Sequence, residues 1–316
     1  MPEVTPHDVN AERLTQALDD IRRRTFGRWH WMQYGSLSMG SLFEMHDELL
    51  DHVAARVAAD TSPDEQLRDV LHTAAECSLG LLSWGCFPGG DQEILFPLVS
   101  ERLSTDDKDF SAVASEAPTA RSWVTAFETA LISGRVWDHQ LVIGLLLRED
   151  YAPAIRDGVP YSLFDSVSGA ADLAQMDALS HYLTPSSGSL GSRATAPLRR
   201  PTADERAAAA RGLDAAGALT PDQALLRVLL DDDQAAFEQA LVARLQEYRQ
   251  TVGDDPAPRT LVPLGALALT ALAVQVHGWT PGVRSRYLPQ GLVGVPDALA
   301  RAAAGNGRAL GHWGVL

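Results

Sequence analysis

The stretch "FEMHDELLDH", Phe43 to His52, sets Glu44, Glu48 and His52 at i, i+4 and i+8, so on a helix they form one column. Two carboxylates and an imidazole in a column can ligate a metal. Di-metal carboxylate helices, however, use Glu-x-x-His and need a second helix of the same kind, and neither occurs here. Leu42, Met45, Leu49, Val53 and Val57 supply an apolar stripe on the opposite side. The column therefore reads as a solvated helix face with a Glu48–His52 pair along it, and no metal is expected. Asp47 and Asp51 widen this acidic face. Asp231, Asp232 and Asp233 form a second cluster at a helix start, where negative charge complements the backbone dipole.

A second segment, "RWHWMQYGSLSMG" (Arg28 to Gly40), concentrates aromatic and sulfur-bearing side chains. Trp29, His30, Trp31, Tyr34 and Met39, with His46 further on, could line a pocket for a small apolar ligand or form a protein contact. The same residues serve equally well as the bulky part of a core helix, which is the commoner use. Signatures of catalysis are missing. Ser36, Ser38 and Ser189 each lack a glycine of the Gly-x-Ser-x-Gly elbow. "GSLGSRAT" lacks the Gly-Lys-Ser/Thr ending of a phosphate loop. Neither Cys77 nor Cys86 has a histidine at short spacing. No catalytic residue and no cofactor is nominated.

The elements that must carry these residues are helical. Ser62-Pro63-Asp64-Glu65, Thr202-Ala203-Asp204-Glu205 and Thr220-Pro221-Asp222-Gln223 each place a capping residue three positions before an acid or amide. After the first, Leu67, Val70, Leu71, Ala74, Ser78 and Leu81 recur at helical spacing; Phe237, Leu241, Leu245 and Tyr248 make another stripe. From Thr260 through Val283 no residue carries a formal charge. The unbroken apolar part, Leu261 to Val276, falls short of the ~20 residues of a transmembrane helix. With Pro263 in its first turn and Gly278 at its stop, it reads as a core helix. No alternating run is long enough to require a strand. The fold class is all-α: a multi-helix globular protein of stacked antiparallel helix pairs. Thr184 to Pro201 is rich in Ser, Gly and Pro, contains three arginines and no acid, and reads as a mobile central loop or linker. It divides an N-terminal helical part, 1–183, from a C-terminal one, 202–316, unless the two form one continuous domain.

The 316 residues carry a net charge of −15. A field of that sign repels nucleic acid and anionic lipid and attracts basic partners. Two cysteines are too few for a disulfide framework, and residues 1–20 contain no apolar signal segment. A cytoplasmic location is expected.

The second half resembles the immunity protein 49 family of bacterial polymorphic toxin systems. The resemblance is carried, in order, by "AAFEQALVARLQEYR" (Ala235 to Arg249), "RTLVPLGALALTALAVQVHGW" from Arg259, and "SRYLPQGLV" (Ser285 to Val293). "SWVTAFETALISGR" and "LLLREDY" extend it more weakly, so that it covers about 120 to 295. It implies a cytoplasmic all-α protein that binds and blocks a cognate toxin domain. In that case Glu44, Asp47, Glu48, Asp51, Asp231, Asp232 and Asp233 are the expected contacts to a basic toxin. The alternative is a small-molecule-binding protein or a specialised-metabolism enzyme on the same scaffold, using the Trp29-to-His46 pocket.

Overall fold

A computed structural model of the chain describes residues 2–60, 64–108, 110, 113–138, 142–186 and 196–303. The order is α1 (Ala11–Leu18), α2 (Ile21–Tyr34), α3 (Met39–Ala58), α4 (Glu65–Cys86) and α5 (Ala120–Ile132). Next come α6 (Ile143–Leu145) and α7 (Ala152–Arg156), joined by the π-helical turn Leu146–Tyr151, and α8 (Ala170–Ser180). Then follow α9 (Ala203–Ala215), α10 (Pro221–Leu230), α11 (Gln234–Thr251), α12 (Leu264–Gln275), α13 (Gln290–Val293) and α14 (Ala298–Ala303). Consecutive helices pack on one another: α3 on α4, α4 on α5, α8 on α9, α10 on α11. The protein is all-α, as its sequence predicts.

Two helices carry the centre. α4 is buried from Leu67 to Cys86 on nearly every side, and Gly80 lets Ile94 press against it, where a β-carbon would sit 2.4 Å from the Ile94 side chain. α12 is buried over Gly265–Gln275. By length and composition the stretch Pro258–Gln275 could cross a membrane, but 78% of it is buried inside the fold. Gly278, at φ +74°, ends this helix: its N–H donates to Val274 and that of Trp279 to Ala273. Pro263 stands one place earlier than predicted, as the cap.

The capping boxes of Thr202 and Thr220 are both formed. Ser62 and Pro63 lie outside the described residues, and Asp64 caps α4 by accepting from the Leu67 N–H. Half of the predicted loop, 187–195, also lies outside them. Its flanks are tied together by the Leu183–Leu198 bridge and by the Arg199 N–H, which donates to the Tyr182 carbonyl at 2.8 Å.

Small strands are present where none was expected. Glu93–Phe96 (β2) and Glu101–Ser104 (β3) form an antiparallel hairpin, and Glu3–Val4 (β1) pairs parallel with Arg284–Ser285 (β4). Segments of two and four residues are too short to register as alternation.

Candidate functional site

The acidic face of α3 is paired with arginines, although the Glu44 and Asp47 side chains stay 69% and 48% exposed. α1, α2 and the 3-10 turn Pro258–Leu261 all pack on that helix, and the last two bring arginines with them. Arg28 reaches Glu44 at 2.8 Å and Glu48 at 2.6 Å, and Arg24 meets Glu48 at 3.0 Å. Arg259 spans Asp47 and Asp51, each at 3.0 Å. The expected Glu48–His52 pair does not form. His52 is buried, its Nδ1 hydrogen-bonds to the Ala17 carbonyl at 2.9 Å, and burial first of all lowers its pKa. Helical spacing allowed the pair, but α1 supplies the nearer partner.

The second acidic cluster is paired as well. Asp231 holds Arg227, and Asp233 caps α11 through the Ala235 and Ala236 N–H groups. Asp232, at φ +63°, accepts from Arg200 and Arg206 and meets His277 Nδ1 at 2.8 Å. His277 Nε2 continues the chain to the Tyr182 hydroxyl at 3.0 Å. Burial alone would raise Asp232, yet Arg200 and His277 hold its carboxyl below the usual range. The imidazole between these groups has no exposed side-chain surface, so this Asp–His–Tyr chain offers no access to a substrate.

The residues of the alternative pocket do not converge. Trp29 and Met39 belong to the core, and Trp29 donates to the Arg102 carbonyl. His46 is buried beside Thr129 and Asp47. His30, Trp31 and Tyr34 point outward instead, with Trp31 62% and Tyr34 70% exposed. Together with Phe26, at 44%, they make an aromatic strip along α2, in which His30 lies 4.8 Å from Tyr34 and 6.2 Å from Phe26, centre to centre. The helix beneath is fixed at both ends: Asp20 caps it, and Lys108 donates to the Met32 and Gly35 carbonyls at the far end.

A cavity of about 1160 Å³ lies elsewhere, between the arm Glu3–Val9, the end of α3 and the segment 284–301. No single stretch of sequence announces it, because its walls come from widely separated parts of the chain. At its edge His7 Nδ1 meets the Tyr287 hydroxyl at 2.7 Å and Nε2 meets Thr260 Oγ1 at 2.9 Å. Among the described residues no group of three or more His, Cys, Asp or Glu could hold a metal ion. Cys77 and Cys86 are free and buried, and burial pushes both thiols up, Cys86 to about 12, which leaves neither poised as a nucleophile.

A family model described as Immunity protein 49 matches residues 59–292. The match begins upstream of the resemblance seen in the sequence and takes in α4 and the β2–β3 hairpin. It leaves out α1, α2 and α3. No curated protein and no solved structure matches the chain.

Proposed function

The chain belongs to the immunity protein 49 family, and from that membership we propose that it binds a cognate toxin domain and blocks it without chemistry of its own. The family match over most of the chain is the observation that carries this reading. The contact face we assign is the α2 strip of Phe26, His30, Trp31 and Tyr34. Tyrosine and tryptophan dominate the energetics of protein interfaces, and here they project from a helix already locked in place, so little ordering entropy opposes binding. The strip also lies outside the matched residues, where a shared scaffold can vary its choice of partner. The paired acids of α3 and of Asp231 to Asp233 enter the proposal as sources of a long-range field rather than as a contact patch. A net charge of −15 favours a basic toxin and speeds its encounter. Two unpaired buried thiols support a cytoplasmic place of action.

Co-expression with the toxin gene adjacent in the native genome tests the reading. Survival with the wild-type chain is expected, with reduced rescue for the double variant Trp31→Ala, Tyr34→Ala. Absence of rescue by the wild-type chain sinks the toxin reading; full rescue by the double variant removes the strip from it.

A further inference from the structure

Most described arginines are answered by a carboxylate, as expected where 41 acids face 26 basic residues. Among the described residues the exceptions are Arg22, Arg148, Arg211, Arg249, Arg284 and Arg286. Arg148 is satisfied by the carbonyls of Ser180 and Leu183. Of the remaining five, Arg249, Arg284 and Arg286 all line the 1160 Å³ cavity. All three are exposed while lining it, which puts them at its opening. Its walls mix apolar and polar groups: Leu14, Leu67, Leu131 and Leu292 supply an apolar part, and His7 and Gln275 a polar one.

The three guanidinium groups at the mouth form no ion pair with a carboxylate, although Arg249 donates to Thr5 Oγ1 at 3.4 Å and Glu3 stands opposite Arg284 in the strand register. From their pairing with leucine-rich walls, we propose that the cavity binds an amphiphilic anion: an apolar body ending in a carboxylate or phosphate. At about 1160 Å³ the cavity is slightly larger than the about 300–1,000 Å³ of typical ligand pockets, which leaves room for a long apolar body. Guanidinium groups suit such a head because they give carboxylate and phosphate oxygens paired N–H donors in one plane. Three acids, Glu3, Asp8 and Asp60, also line the cavity; all are exposed, and none forms an ion pair with these arginines. In a chain with excess acid a solvated carboxylate is ordinary, whereas three unanswered arginines around one opening are not. Arg301, a fourth lining cation, is occupied by Asp297 at 2.8 Å. The inference does not depend on the toxin reading, and failure of rescue in cells leaves it standing.

The test is calorimetric titration of the full chain with dodecanoate, dodecyl phosphate, dodecanol and inorganic phosphate, each as a monomer in solution. Saturable one-to-one binding of the two amphiphilic anions is expected, with dodecanol and inorganic phosphate each weaker by roughly tenfold or more. The double variant Arg284→Ala, Arg286→Ala should weaken dodecanoate binding by a similar factor at unchanged melting temperature. Val295→Trp, which fills the interior, should weaken it without touching the mouth. Equal affinity for dodecanol and dodecanoate, wild-type affinity in the arginine variant, or no binding by either anion overturns the proposal.

Discussion

Arg259 grips Asp51 twice: its backbone N–H donates to Oδ1 at 2.7 Å and its Nη1 to Oδ2 at 3.0 Å. The two residues are 208 positions apart, and their contact fastens α3 to the turn that leads into α12. Burial is the largest influence on Asp51 and raises its pKa, against the opposing hydrogen bond and charge of Arg259. An acid held in this way serves the fold before it serves any partner.

Asp51→Ala should therefore lower stability by about 2 kcal/mol, the scale of a lost charge-assisted hydrogen bond in a half-buried setting. Glu44→Gln, at a side chain 69% exposed, should change it by under about 0.5 kcal/mol. Urea unfolding of both variants checks the contrast. Equal midpoints would mean that the Arg259 contact contributes nothing to the fold.

Leu267 in α12 has no exposed surface. Leu267→Ala should destabilise by about 2–5 kcal/mol, and Leu267→Asp should give insoluble or molten protein. Near-ultraviolet circular dichroism and cooperative melting report the outcome; a sharp wild-type transition in the Asp variant would contradict the burial of this helix.

His72 donates from Nε2 to the Ser133 carbonyl at 3.1 Å, and burial, reinforced by Arg135 and Arg68, lowers its pKa to about 4. Because the unfolded chain takes up a proton near 6.5, stability is fully present above that pH and falls as the pH drops toward 4. The loss from this one group approaches roughly 3 kcal/mol. His72→Gln retains a donor and should flatten that decline relative to wild type between pH 6.5 and 4. Parallel pH–stability curves for the two proteins would exclude His72 as the source.

Glu128 in α5 behaves in the opposite sense. Burial first, and then the charge of Asp222, raises its pKa well above the ordinary value. The folded state thus holds a proton that the unfolded state gives up, and stability falls as the pH climbs from about 4.5 toward the raised value. Glu128→Gln should be the more stable protein at pH 8 and should lose that advantage by pH 4. A variant less stable than wild type at pH 8 would show that Glu128 is held as an ionised, paired carboxylate.

What the sequence revealed and what it hid divide along one physical line. Local rules succeeded: the boxes at Thr202 and Thr220, the Phe237–Leu241–Leu245 stripe and the Gly278 stop each involve residues within one or two turns. Where a distant segment decides, the reading failed. The partners of the α3 acids were hidden because Arg28 and Arg259, 20 and 208 residues away, cannot be assigned to Glu48 and Asp51 from spacing. The aromatic run divided between core and surface according to which neighbours Trp29 and Met39 met, and the cavity arose only when the arm Glu3–Val9 lay against the segment 284–301.

The pairing of β1 with β4 also orders events in time. Val4 leaves the ribosome 281 residues ahead of Ser285, whose hydroxyl donates to its carbonyl. At about 5–20 residues per second the arm waits roughly 15 to 60 s before its partner strand exists. Until then His7 has no Tyr287 to bind, and one wall of the cavity is absent. Closure of this protein is thus a late step of its own synthesis, and a nascent chain halted short of residue 285 carries α1 to α12 without their seal.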